Sequence, residues 1–91
     1  MNKYGRRAQQ YYQQFLPTRY AQIADPVEFF TGLGRQMAEQ INALALSLAG
    51  DDPAGETYLQ KVGRLRMARL QAEEQVVRQT LPASDESESS S

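Results

Sequence analysis

Two groups of side chains in this 91-residue chain are of types that do chemistry at a surface. The first is Lys3, Arg6, Arg7 and Arg19, interleaved with Tyr4, Tyr11, Tyr12 and Tyr20. Aromatic faces stack on bases and cations neutralise phosphates, so this mixture fits a single nucleic-acid strand or a duplex backbone. The competing reading is plainer: tyrosines at helical spacing line the edge of a core, rings inward and hydroxyls wet. The second group is Lys61, Arg64, Arg66 and Arg69, with no acid between Thr57 and Gln71 and with Glu73 four residues after Arg69. That run could follow a phosphate backbone. On a helix, however, its members point to different sides: Lys61 and Arg64 toward solvent, Arg66 and Arg69 into a seam between apolar ridges.

Most other chemistries lack their residues. The chain has no Cys and no His, which removes thiolate nucleophiles, disulfides, Cys-based zinc sites and the usual general base near neutral pH. Glu73 and Glu74 are adjacent and diverge by about 100° on a helix, so they do not make a two-carboxylate site. There is no glycine-rich phosphate loop and no Ser with a base beside it. The expectations are therefore no enzyme, no catalytic residue, no metal, no cofactor and no small-molecule substrate. No apolar run approaches the roughly 18 residues of a membrane span, which predicts a cytosolic protein with no membrane contact.

The elements that must position these residues read as helices. Tyr4, Ala8, Tyr11 and Phe15 recur at four, three and four residues and predict a first helix from Asn2 to Phe15, capped by Asn2 and liable to fray at Gly5. Pro17 predicts a break and a short second turn carrying Tyr20 and Ile23. Asp25, Pro26 and Glu28 start a long helix that Gly50 ends. Within it Phe30, Leu33, Met37, Ile41, Leu44 and Leu48 form one stripe, the spine against which everything else packs. Gly32 and Gly34 predict a bend there or close packing on the Tyr-rich helix.

The turn Asp51 to Gly55 is short enough to force an antiparallel hairpin, whose last helix runs from Pro53 or Glu56 to Thr80. That helix has two apolar ridges. Tyr58, Val62, Leu65, Ala72 and Val76 form one; Leu59, Leu70, Val77 and Leu81 form the other, with Met67 at its margin. Arg66, Arg69 and Glu73 lie between them. In the simpler reading Arg69 and Glu73 pair at four-residue spacing and their stems cover apolar surface. In the functional one, one ridge packs on the central helix and the other, through Leu70, Val77, Arg66, Arg69 and Glu73, meets a protein partner or a second copy of the chain. The predicted architecture is thus all-α: a helical domain over residues 1–82, built as a long antiparallel hairpin with a Tyr-rich N-terminal helix packed on it, followed by a disordered acidic Ser-rich tail, 83–91.

Several short motifs carry a family resemblance. Tyr4-Gly5-Arg6, Tyr11-Tyr12, Leu16-Pro17-Thr18-Arg19-Tyr20 and Val62-Gly63-Arg64-Leu65-Arg66, with Glu73, Glu74, Val76 and Val77, resemble the TnpV family of small transposon-encoded proteins of conjugative and mobilisable elements. The likeness spans Tyr4 to Leu81. It departs at Asp25 to Thr31, where the family pattern has a Gly-Lys-Leu-like step, and the Ser-rich tail has no counterpart. The resemblance implies a genetic setting, a mobile element or phage, rather than a reaction. Three functions fit that setting: an adaptor or accessory protein binding a protein partner through the last helix, a DNA-binding accessory factor for transposition using Lys3, Arg6, Arg7, Arg19, Lys61 and Arg64, and an inhibitor of a host defence enzyme.

Overall fold

The structure, a computed structural model, describes residues 1–83; the tail expected at 83–91 lies, but for Ala83, outside the described residues. Four helices follow in order: α1 (Lys3–Phe15), α2 (Pro17–Ala21), α3 (Pro26–Ala49) and α4 (Tyr58–Thr80), with no strand among the described residues. The all-α expectation holds, and so does the hairpin. α3 and α4 run antiparallel, with Ala49 level with Arg64 and Asn42 level with Arg69.

Local chemistry sets each boundary. Asn2 caps α1 by accepting from the Gly5 amide at 2.9 Å. Leu16, fully buried, closes α1 and opens α2, whose first residue is Pro17. Asp25 caps α3 by accepting from the Glu28 amide, and Gly50 ends that helix at φ 64°. α4 begins later than expected. Pro53 to Gly55 stay in the turn, and Thr57 and Gln60 form a reciprocal capping box, the Thr57 hydroxyl accepting from the Gln60 amide and the Gln60 side chain from the Thr57 amide.

The core lies where three helices meet. Phe30, Met37 and Ile41 of α3 are fully buried against Tyr4 and Ala8 of α1 and Ala72 and Val76 of α4. Phe30 is its aromatic centre: Tyr12 meets it edge-on at 5.1 Å, Phe29 at 4.8 Å, and Tyr20 stacks at 6.1 Å. The expected spine thus holds through Ile41, then fades. Leu44 is half-buried and Leu48 is exposed, because α1 begins against Gly34 and does not extend along this stretch of α3, which α4 alone faces.

Gly5 corrects the expectation of a fraying end. It is buried, and a Cβ placed on Gly34 would fall 2.7 Å from the Gly5 nitrogen and 2.9 Å from its Cα. The α1 and α3 backbones therefore cross at a pair of glycines. Asn2 clamps that crossing, its side-chain amide donating to the Gly34 carbonyl at 3.0 Å. Gly32, by contrast, faces open space.

Candidate functional site

α1 runs antiparallel to α3, with Asn2 at Gly34 and Tyr12 at Phe29 and Phe30, and parallel to α4, with Tyr4 at Glu73 and Tyr11 donating to the Pro82 carbonyl. Its first turn lies at Gly34 of α3, and from there the Tyr4 hydroxyl reaches Glu73 and Arg69 of α4. The hairpin continues beyond it: Tyr58 to Arg69 of α4 extend about 16 Å past the N-terminus of α1, at 1.5 Å per residue. This offset sorts the predicted site residues into a covered set and an open one.

On α4, Leu59, Gly63, Arg66, Leu70, Glu73, Val77 and Leu81 recur at three and four residues and so share one face. The C-terminal half of that face is partly covered, by side chains of α1 and by the core. Val77 and Leu81 are half-buried against the core, and Glu73 accepts from the Tyr4 hydroxyl at 3.3 Å with Lys3 at 3.8 Å and Arg69 at 3.9 Å. Arg69 also donates to the Tyr4 oxygen at 3.2 Å and to Asn42 at 3.0 Å, so it ties all three helices together. The N-terminal half has no such cover. Leu59 is 79% exposed, Leu70 62%, and Arg66 makes no hydrogen bond or ion pair among the described residues.

The five residues expected to meet a partner therefore divide. Arg69, Glu73 and Val77 serve the intramolecular contact with α1 and the core; Leu70 and Arg66 face outward. The two-ridge picture of α4 also needs correction. The core side is Ala68, Ala72 and Val76, whereas Leu65 and Tyr58 are exposed. The small alanines at four-residue spacing let α3 come close, and the helix turns its bulkier residues to either flank. Beside the free half runs a groove of about 350 Å³ between α3 and α4, lined by Asn42, Ala45, Leu46, Ala49, Leu65 and Arg69, with Leu46 75% exposed on its rim. A smaller hollow of about 190 Å³ adjoins it under Arg66, Leu70 and Glu73.

The basic residues divide as well. Lys61 and Arg64 do not stand free toward solvent: they hold the turn. Lys61 donates to Asp52 at 2.7 Å, and Arg64 grips Glu56 with two nitrogens at 2.7 and 3.0 Å, Asp52 at 2.7 Å and the Ala49 carbonyl. Ala49 O is one of the carbonyls that the end of α3 leaves without a helical partner, so Arg64 closes that helix from outside. The Lys61 contact holds the Asp52 carboxyl below its ordinary value, with Arg64 adding to it, and the Glu56 and Asp52 carboxylates raise Arg64 further above its own. Asp52 and Glu56 are the acids of this knot. Lys3, Arg6, Arg7 and Arg19 remain exposed on α1 and α2, while Tyr4 is buried and Tyr11, Tyr12 and Tyr20 half-buried. The rings point inward and the cations outward, so the two do not form a base-stacking platform.

Sequence reasoning missed Ala68, the Thr57 cap and the turn-holding part of Arg64. Only the cap had a legible signal, a Thr three residues before a Gln. Among the described residues no group of three or more Asp or Glu could hold a metal, and no helix is long and apolar enough to cross a membrane. Searches of family models, curated proteins and solved structures find no match to this chain.

Proposed function

We propose that this protein is a non-enzymatic helical accessory or adaptor protein that works by binding another protein along the N-terminal half of α4. One observation carries the reading: a single continuous face of α4 is partly covered over Glu73 to Leu81, where α1 side chains reach Glu73 and Pro82 and Val77 and Leu81 pack on the core, and is left open over Leu59 to Leu70. The open half has the make-up of a contact surface, leucines with a central arginine beside an apolar groove. Solvated helix faces are more often Gln, Lys and Glu, as on the opposite flank of α4 at Gln71, Glu74, Gln75 and Gln79. The cytosol of a cell carrying a mobile element, the setting the TnpV resemblance implies, is where such a partner is sought.

Affinity capture from extracts of the cells that make the protein tests the reading. The wild-type chain should retain a protein that Leu70→Glu, folded by circular dichroism, does not. Equal recovery with both would count against α4 as the surface.

A second reading, a nucleic-acid accessory factor, keeps one supporting feature: Lys3, Arg6 and Arg7 are exposed on α1, with Arg19 exposed on α2. It loses Lys61 and Arg64 to the turn.

A further inference from the structure

The free half of the α4 face matches itself when reversed. Its members, Leu59, Gly63, Arg66 and Leu70, are spaced four, three and four, with a leucine at each end. Turned end for end about its midpoint, the stripe brings Leu59 opposite Leu70 of a second copy and Gly63 opposite Arg66 of that copy. We infer that the first occupant of this surface is a second copy of the same chain, with the two α4 helices antiparallel about a two-fold axis between Gly63 and Arg66. The inference rests on the reading of α4 as a contact surface and names what it contacts.

Gly63 has no role within one chain. A Cβ built there meets nothing within 4 Å, and φ is not positive, so neither space nor backbone geometry calls for glycine in mid-helix, where alanine would make a more stable helix. The same fold shows what a glycine on a helix face does when a second helix crosses it: at Gly5 and Gly34 the backbones come too close for a Cβ. In the antiparallel pair, Gly63 gives the room in which the Arg66 stem of the second copy lies. The Leu59 and Leu70 pairs close the two ends of the contact, and each arginine stem lies over the glycine while its head reaches water at the edge. Leu46, on the rim of the adjoining groove, extends the apolar surface onto α3. A parallel pair would set Arg66 against Arg66 and Gly63 against Gly63, so that neither arginine stem meets the room the glycine leaves. The contact is isologous, as closed dimers require.

Because the chain has no cysteine, introduced ones report one contact each. L59C and L70C are both at exposed positions, so neither should disturb the fold. Oxidised separately, each should stay monomeric on a non-reducing gel, since like positions sit about 16 Å apart along the antiparallel pair; mixed, they should give a cross-linked dimer. In parallel, Gly63→Ala should raise the melting temperature measured at low micromolar concentration and weaken the dimer about tenfold or more by sedimentation. Cross-linking of L59C alone as readily as the mixture, or a Gly63→Ala chain that associates at least as tightly as wild type, overturns the antiparallel contact. A wild-type chain that is monomeric at several hundred micromolar, yet captures another protein through Leu70, overturns the second copy while leaving the partner-binding surface standing. A monomer that captures nothing overturns both.

Discussion

The hydroxyl of Tyr4 on α1 lies 3.3 Å from the Glu73 carboxylate on α4, across 69 residues of chain. Arg69 reaches the same hydroxyl and Asn42 on α3, so this one contact marks where three helices come together and where α1 stops covering the hairpin. Tyr4→Phe keeps the buried ring and removes the link. It should cost about 1 kcal/mol in urea unfolding, the usual worth of such a hydrogen bond, while Tyr4→Ala, which also opens a cavity, should cost about 3 kcal/mol or more.

The two glycines of α3 should respond in opposite directions. Gly34→Ala pushes a methyl group into the Gly5 backbone and should destabilise by about 1–3 kcal/mol. Gly32→Ala meets open space and should stabilise by up to about 1 kcal/mol through helix propensity alone. Melting curves of the two variants, side by side, check the crossing.

Arg64→Ala should lower the melting temperature more than Lys61→Ala, because Arg64 serves Glu56, Asp52 and Ala49 whereas Lys61 serves Asp52 alone. The difference should depend on pH in a defined sense. Asp52 has its pKa depressed in the folded chain, so its share of stability is complete above the unfolded value of 3.8 and fades as pH falls through the lower folded one. Arg64, raised, stays charged throughout that range. The gap between wild type and Arg64→Ala should therefore be constant from neutrality to about pH 5 and narrow below about pH 4.

The charge map also limits any binding to duplex DNA. With Lys61 and Arg64 held by acids, four of the six candidate nucleic-acid contacts remain for phosphates, Lys3, Arg6, Arg7 and Arg19, and binding through these four gives a slope of log affinity against log salt of about −3.6. A gel-shift series over salt measures it; a steeper slope, or one reduced by Lys61→Ala, would contradict this assignment.

Helix positions and the hairpin were legible because their signals are local. Asp25-Pro26, Pro17 and Gly50 act on their own backbone, and the Phe30 to Ile41 spacing reports one face of one helix. The offset of α1 against the hairpin was not legible. It depends on the Gly5–Gly34 crossing, a contact between residues 29 apart whose sequence signal, a glycine near a helix end, reads equally as a weak first turn. For the same reason α4 presented two ridges of equal standing, since periodicity cannot say which stretch of a ridge another helix covers. Arg64 was misjudged because its partners, Asp52 and Glu56, sit in a turn whose path no periodicity describes. Because the core thins beyond Ile41, a charge is more damaging at Ile41, fully buried, than at Leu44, half-buried: Ile41→Asp should leave the chain unfolded by circular dichroism.

With a second copy of the chain as first occupant of the open half of α4, the mass in solution should depend on concentration. Sedimentation equilibrium of the wild-type chain and of the double variant L59E/L70E, up to several hundred micromolar, tests it most directly. The wild type should rise from 10.3 kDa toward twice that mass as concentration increases, and the folded double variant should stay at 10.3 kDa. A wild-type mass fixed at 10.3 kDa, or a double variant that dimerises as well as the wild type, would contradict it.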